Sequence, residues 1–155
     1  MKLNLKQIFN ITGESRDIDF SILPEEIPQL KGLAFTTPVK VMGRVFNRAE
    51  VVTLEYKSEF AMKHTCDRCL SEFERSYSYD FSHIVVPSVS GDNDDYIVAE
   101  DLSIDMNEIV ISDSLLQLPS KILCREDCRG LCPHCYCNLN ETDCNCTKNS
   151  EPTAQ

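Results

Sequence analysis

The sequence has few glycines, a deficit of basic side chains and no long apolar run. Five glycines in 155 residues leave no glycine-rich loop of the kind that holds a phosphate group. No apolar stretch reaches the length of a membrane-spanning helix, so we expect no membrane association. Fifteen basic residues stand against twenty-five acidic ones. The net charge of −10 argues against non-specific binding to a phosphate backbone, which depends on lysine and arginine.

The usual patterns of a catalytic metal centre are absent as well. The sequence contains no HExxH, no H-x-E followed by P-C-x-x-C, and no set of three neighbouring histidines. A zinc ion that takes part in catalysis keeps one coordination position open for water. We therefore expect neither enzymatic activity nor a small-molecule substrate.

The sequence is instead rich in cysteine, whose thiolate can bind a metal ion. Seven of its nine cysteines lie between Cys124 and Cys146, and Cys66 and Cys69 form a C-x-x-C pair far upstream. Short intervals let two thiolates of one turn face a single ion, which predicts tetrahedral metal sites closed by four cysteines. The predicted ligands of two structural zinc ions are Cys66, Cys69, Cys124, Cys128, Cys132, Cys135, Cys144 and Cys146.

Cysteines at these spacings have three other uses in proteins. A disulfide framework needs an oxidising compartment, and the first twenty residues lack the apolar run and cleavage site of a signal peptide. A redox-active C-x-x-C needs a thiolate at a helix N-terminus, whereas Cys66 follows a strand pattern. An iron–sulfur cluster uses similar spacings and stays open at this point. Two further questions also stay open: whether His134 is a ligand, and whether Cys137 is a spare thiol or an alternative ligand.

Loop closure favours one pairing of these cysteines among three. Cys132 and Cys135 are separated from Cys144 and Cys146 by a short loop, so a site made from these four needs little long-range ordering. The other four ligands would then form a long-range site: Cys66, Cys69, Cys124 and Cys128. The chief alternative joins Cys66 and Cys69 to Cys132 and Cys135, as a split zinc ribbon.

The clearest secondary-structure signal lies between residues 38 and 86. VKVMGRVF, VVTLEYKSEFAMKH and FERSYSYDFSHIVV alternate with period two, which predicts an antiparallel meander with Cys66 and Cys69 at a hairpin tip. An edge strand is predicted over 17–22. A helix is predicted to begin after Asp105, to end near Pro119 and to place one apolar face over the sheet, made by Met106, Ile109, Val110 and Leu116.

The predicted fold class is therefore α+β and mainly β, an antiparallel meander covered by one helix, with a cysteine-rich zinc-binding tail. Residues 1–123 would form the β-rich domain. Residues 124–146 would form a zinc-binding segment packed on it, and 147–155 a disordered tail.

Together these motifs resemble the YceD family, named for large ribosomal RNA subunit accumulation. They are CDRCL at 66–70, FE at 73–74, LP at 118–119, then LCREDCRGLCP and NLN before a final C-x-C. The resemblance implies a cytoplasmic protein without established enzymatic activity, needed for accumulation or processing of large-subunit ribosomal RNA. Two positions depart from the family pattern: Tyr136 stands where a glycine is expected, and Cys137 where no cysteine is expected.

The implied partner is ribosomal RNA, a large-subunit ribosomal protein or an assembly intermediate. One hypothesis is a local basic surface around the cysteines, made by Lys63, Arg68, Arg75, Lys121, Arg125 and Arg129. In another, the acidic surface binds a basic ribosomal protein. The alternatives are a redox- or metal-responsive regulator that uses Cys137, and an RNA-processing enzyme.

Overall fold

Three long strands joined by two hairpins form the centre of the structure, a computed structural model that describes residues 1–28, 33–89 and 95–146. The predicted disordered tail, 147–155, lies outside the described residues. The elements in chain order are β1 Lys2–Asn4, α1 Lys6–Asn10, β2 Ser15–Ile22, β3 Ala34–Phe35, β4 Val39–Arg48, β5 Val51–Thr65, β6 Glu72–Val86, β7 Tyr96–Val98, β8 Ser103–Asp105 and α2 Met106–Leu116. A short 3-10 turn spans Pro24–Glu26.

The main sheet has the strand order β2-β4-β5-β6-β7, and β3 pairs with β5 beyond the end of β4. Every pairing in it is antiparallel except β6 with β7, which is parallel. Strand β2 stands at one end of this order, as its alternating sequence predicted. The prediction of a mainly β fold, with an antiparallel meander and one main helix, is confirmed.

Alternation along the strands explains why the sheet forms here. In β5, Val52, Leu54 and Tyr56 are buried, whereas the residues between them are only partly covered. The β4–β5 hairpin turns on Ala49 and Glu50, which have φ values of 52° and 67°. Positive φ at both central residues gives the turn whose twist matches that of antiparallel strands. The β4–β5 pairing therefore runs in one register from Arg48 and Val51 at the turn to Lys40 and Glu59.

Helix α2 packs on the buried face of this sheet. The Asp105 side chain caps it by accepting hydrogen bonds from the backbone N–H groups of Asn107 and Glu108. The Ser114 hydroxyl lies 3.2 Å from that of Ser58 on β5, within the core. None of the described helices has the length and apolar character needed to cross a bilayer.

The end of α2 differs from the prediction. The helix stops at Leu116, before Pro119, and Leu116 is 81% exposed. Residues six positions apart on a helix lie about 120° from each other around the axis, so Leu116 cannot share the face of Val110. Ser114, four positions after Val110, takes the buried place.

The N-terminal segment also contains the five-residue helix α1, which the sequence patterns did not predict. Leu3, Leu5 and Ile8 are buried in the main core. The side-chain amide of Asn47 on β4 donates a 2.8 Å hydrogen bond to the carbonyl of Ile8, in a buried position. Tertiary contacts therefore support a helix too short to be stable alone.

Candidate metal centres

The tip of the β5–β6 hairpin is a cysteine knuckle, defined here as residues Cys66 to Ser71. The N–H of Leu70 donates to the carbonyl of Cys66 over 3.0 Å, and the N–H of Cys66 donates to the carbonyl of Ser71 over 2.9 Å. Leu70 has a φ of 59°, a left-handed conformation that glycine adopts most easily. This turn points the sulfur atoms of Cys66 and Cys69 to the same side.

Residues Cys132 to Cys137 repeat that knuckle in the tail. The N–H of Tyr136 donates to the carbonyl of Cys132 over 2.9 Å, and the N–H of Cys132 donates to the carbonyl of Cys137 over 2.9 Å. Tyr136 also has a φ of 59°. The departure from glycine at this position therefore does not prevent the left-handed turn.

The first knuckle meets the start of the tail in a group of four cysteines, called here the long-range cluster: Cys66, Cys69, Cys124 and Cys128. Their sulfur atoms all lie within 4.8 Å of one another. The sulfur atoms of Cys66 and Cys128 are 3.7 Å apart, and so are those of Cys69 and Cys124. Tetrahedral zinc with bonds of about 2.3 Å places its sulfur ligands about 3.8 Å apart, so these distances fit one ion. A disulfide, at about 2 Å, does not fit them.

Hydrogen bonds between the first knuckle and the tail also bring the long-range cluster together. The N–H of Asp67 donates to the carbonyl of Ile122 over 2.8 Å, and the Asp67 carboxylate accepts from the N–H of Ile122 over 2.7 Å. The Arg68 guanidinium donates to the carbonyl of Cys128 over 3.0 Å. The tail is thus docked on the hairpin tip at Ile122 and at Cys128.

The second knuckle forms the other group, called here the local cluster: Cys132, Cys135, Cys144 and Cys146. Its four sulfur atoms also lie within 4.8 Å of one another. Cys144 lies 3.3 Å from Cys132 and 3.5 Å from Cys135. Only Cys132 is buried, and Cys135 is exposed, so this cluster is more open to solvent than the long-range one.

The eight predicted ligands therefore fall into two sets of four, in the grouping that loop closure favoured and not in the split-ribbon arrangement. All nine cysteines are free thiols. His134 is exposed and belongs to neither group, although its backbone N–H donates to the Cys132 sulfur over 3.4 Å. A tetrahedral ion held by the four sulfur atoms of either cluster would have no coordination position left for a substrate.

Hydrogen bonds lower the pKa of two thiols in each cluster, Cys66 and Cys69 in one and Cys132 and Cys135 in the other. Burial raises the pKa of Cys66, but hydrogen bonds from the backbone of Cys69, Cys124 and Arg68 outweigh burial and lower that pKa to about 6. Backbone and side-chain hydrogen bonds from Cys137 lower the pKa of Cys135 to about 6. A metal ligand must be a thiolate, so both environments favour the ligand form.

Two residues that the sequence did not single out contact the sulfur atoms. The Ser71 side chain is the main cause of the lowered pKa of Cys69. The Asn140 side-chain amide donates to the Cys128 sulfur over 3.3 Å, and its carbonyl oxygen accepts from the N–H of Arg129 over 2.8 Å. The knuckle spacing indicates Ser71, and the NLN motif contains Asn140, but only the folded chain shows which sulfur each one contacts.

The six basic residues predicted to bind a partner are mostly engaged with the chain itself. Lys121 is exposed. The Arg75 guanidinium donates to the carbonyl of Leu123 over 2.6 Å and lies 5.1 Å from the centre of the Phe73 ring. Three others form ion pairs: Lys63 with Glu72 at 2.7 Å, Arg125 with Asp127 at 3.6 Å and Arg129 with Asp143 at 3.3 Å.

Comparison with known proteins identifies the family. A family model described as Large ribosomal RNA subunit accumulation protein YceD matches residues 54–154, well over half of the chain. The matched part includes β6, α2 and all nine cysteines. No curated protein and no solved structure matched the chain. The chain therefore belongs to the YceD family, whose name assigns its members to the accumulation of large-subunit ribosomal RNA.

Proposed function

We propose that this member of the YceD family is a non-enzymatic protein that holds two structural zinc ions and supports accumulation of large-subunit ribosomal RNA. It would do so by binding a ribosomal protein or RNA of an assembling subunit. The observation that carries the proposal is the pair of closed four-cysteine clusters inside the segment that the family model matches.

The chemistry of the clusters supports zinc in a structural role. Sites made from four thiolates and no open position are typical of structural zinc. Apparent binding free energies at such sites in small peptides are about 10–16 kcal/mol, which is enough to decide whether a short segment folds. The tail between Cys124 and Cys146 contains no helix or strand among the elements above, so zinc would supply much of its order.

Zinc in the long-range cluster would also fix the position of the tail relative to the hairpin tip. Cys69 and Cys124 lie on opposite sides of β6 and α2 in the sequence, yet their sulfur atoms are 3.7 Å apart. An ion at this site would hold the tail against the hairpin tip. Metal loading would thereby control the surface that this end of the sheet offers to a partner.

Charge favours a cationic partner over bare RNA. The chain has a net charge of −10, and two zinc ions held by eight thiolates would bring it to about −14. The basic groups near the clusters are largely neutralised by carboxylates or engaged with carbonyl oxygens. Ribosomal RNA would therefore meet a repulsive surface, whereas a basic ribosomal protein would be attracted.

The test is complementation in cells depleted of the protein. Wild-type protein should restore the ratio of large- to small-subunit ribosomal RNA. Cys66→Ser/Cys69→Ser and Cys132→Ser/Cys135→Ser should restore it only in part at equal protein levels. An unchanged ratio on depletion would contradict the ribosomal role, and full rescue by both variants would contradict the need for metal.

A redox- or metal-responsive regulator is the second candidate function. The observation that favours it is the fifth thiol of the local cluster, because Cys137 is hydrogen-bonded to both Cys135 and Cys144. Loss of activity in Cys137→Ser, with zinc content unchanged, would favour this role. Full activity of that variant would exclude it.

A further inference from the structure

The outer edge of β6 is the longest open backbone edge that the described residues show. β6 pairs with β5 from Glu72 to Val85, and on its other side the parallel strand β7 covers only Ile84–Val86. From Glu72 to His83, no strand in the described ranges pairs with that side. N–H and C=O groups along such an edge are a template for another extended chain.

Little in this strand prevents pairing. Proteins commonly protect an edge by keeping it short, by covering it, or by placing proline or charged side chains in it. The charges of β6 are mostly acidic, so they oppose an acidic or identical partner more than a cationic one. β6 has 15 residues, and none of them is proline. Its side chains instead form two rows of different chemistry, because successive residues point to opposite faces.

One row is aromatic and half-buried. Phe73, Tyr77, Tyr79 and Phe81 alternate along β6 with partly covered side chains. The rings of Tyr77 and Tyr79 are stacked with their centres 5.8 Å apart, and those of Tyr79 and Phe81 are 6.2 Å apart. The Tyr77 hydroxyl is fixed by a 2.9 Å hydrogen bond with His64. Arg75 lies in the same row, with its guanidinium 5.1 Å from the centre of the Phe73 ring, so the continuous aromatic surface beside the open edge runs from Tyr77 to Phe81.

The opposite row is acidic and exposed. Glu72, Glu74 and Asp80 all lie on this face. Lys63 pairs with Glu72 at 2.7 Å, but no basic side chain of the described residues forms an ion pair with Glu74 or Asp80. In the pairing with β5, Glu74 lies opposite Lys63 and Asp80 opposite Lys57, and these lysines form their ion pairs with Glu72 and Glu59. The edge thus has aromatic rings on one side and, on the other, carboxylates that are only partly neutralised.

We propose that the outer edge of β6 binds an extended cationic segment as an added β-strand, with lysine or arginine alternating with apolar residues. The basic side chains would face Glu74 and Asp80, and the apolar ones would continue the aromatic row. This inference rests on the proposed function in one respect, that a large-subunit ribosomal protein supplies the segment.

The same charges argue against the two other occupants. A second copy paired through this edge would bring its own glutamates and aspartate onto the same face, and like charges on neighbouring strands are destabilising. A single-stranded RNA could stack bases on aromatic rings, but its phosphates would lie beside the carboxylates of Glu74 and Asp80.

The test uses the full-length zinc-loaded protein and two synthetic peptides of equal composition. Each peptide has about twelve residues, the length of the open edge, made of lysine and valine in equal number. One alternates lysine with valine, and the other has them in pairs, so that each face of the strand is mixed. Binding is measured by titration, and amide hydrogen exchange shows where the peptide binds.

Charge-reversal variants locate the site. Glu74→Lys/Asp80→Lys changes the acidic row, and Asp17→Lys/Asp19→Lys makes the same change in charge on β2, at the other end of the sheet. We expect the alternating peptide to slow exchange in β6 and to bind about tenfold more weakly to the β6 variant, with little change for the β2 variant. Glu74→Gln/Asp80→Asn replaces the β6 variant if that variant does not fold.

Several results would overturn the inference. Equal binding of the two peptides, or equal weakening by both variants, would mean diffuse attraction between charges. Slowed exchange in β6 with a uridine oligonucleotide, but not with the alternating peptide, would assign the edge to RNA. The peptide could bind at β6 while depletion of the protein leaves ribosomal RNA unchanged. That pair of results would support the binding site and contradict the ribosomal role.

Discussion

Ser71 and Cys137 occupy the same position in the two cysteine knuckles. The carbonyl of Ser71 accepts from the N–H of Cys66 and the carbonyl of Cys137 from that of Cys132, each over 2.9 Å. Their side chains also correspond, since each forms a hydrogen bond that lowers the pKa of the preceding predicted ligand, Cys69 or Cys135. Cys137 is thus placed to support a ligand rather than to replace one.

Substitution of Cys137 tests this correspondence. Cys137→Ser keeps a side-chain donor, so we expect two zinc ions per chain and unchanged affinity. Cys137→Ala removes the donor, and groups that hydrogen-bond to metal ligands are worth about 10–100-fold in affinity. Competition with a chelating indicator measures both. A lost zinc ion in Cys137→Ser would show instead that Cys137 is itself a ligand.

Metal content tests the two clusters. Protein purified without oxygen should contain two zinc ions, and Cys66→Ser/Cys69→Ser should contain one, because the local cluster closes without the hairpin. Elemental analysis by mass spectrometry gives the count, with Cys137→Ser as the matched cysteine control. Iron with visible absorbance would contradict the zinc assignment.

Chelation should remove the two ions in sequence. Cys135 is exposed in the local cluster, whereas Cys66, Cys69 and Cys128 are buried in the long-range cluster. We expect a fast and a slow phase of zinc release, with the β-sheet signal in circular dichroism retained through the fast phase. A single phase that also abolishes the sheet signal would contradict independent sites.

Because the backbone at Tyr136 is left-handed, we expect two substitutions there to differ in their effect on zinc release. The side chain is 74% exposed, so Tyr136→Gly loses little packing and suits a φ of 59°. A β-branched valine is strained in that conformation, at a cost of about 1–2 kcal/mol. Tyr136→Val should therefore release zinc from the local cluster faster than wild type, and Tyr136→Gly should not. Equal rates would mean that the turn is not retained.

The contact between α2 and the sheet depends on a buried hydroxyl. The Tyr56 hydroxyl donates to the Asp113 carboxylate, which also lies 2.6 Å from the ring nitrogen of His83. Burial and Asp113 raise the pKa of Tyr56, which keeps the hydroxyl protonated as a donor. Tyr56→Phe should lower the free energy of unfolding by about 1–3 kcal/mol, measured by denaturant titration. Tyr96→Phe, at an exposed tyrosine, is the control and should have little effect.

Local patterns were enough for much of the fold. The period-two alternation of β4, β5 and β6 and the cap at Asp105 depend on neighbours in the chain, so both were predicted. The end of α2 was wrong by a few residues, and helix α1 was missed. The end of α2 and the presence of α1 both depend on which apolar side chains the folded chain buries. Leu116 is exposed at the end of α2, whereas Ile8 in α1 is buried.

The sequence by itself determined that cysteine turns exist and that each turn presents two sulfur atoms to one side. Tertiary structure decided which turns share a cluster, because Cys66 and Cys128 reach 3.7 Å only when the sheet and α2 fold the chain back. It also decided that one edge of β6 stays open from Glu72 to His83 in the described chain. Alternation of polar and apolar residues indicates that a segment is a strand. Which strand it pairs with depends on the packing of the whole chain.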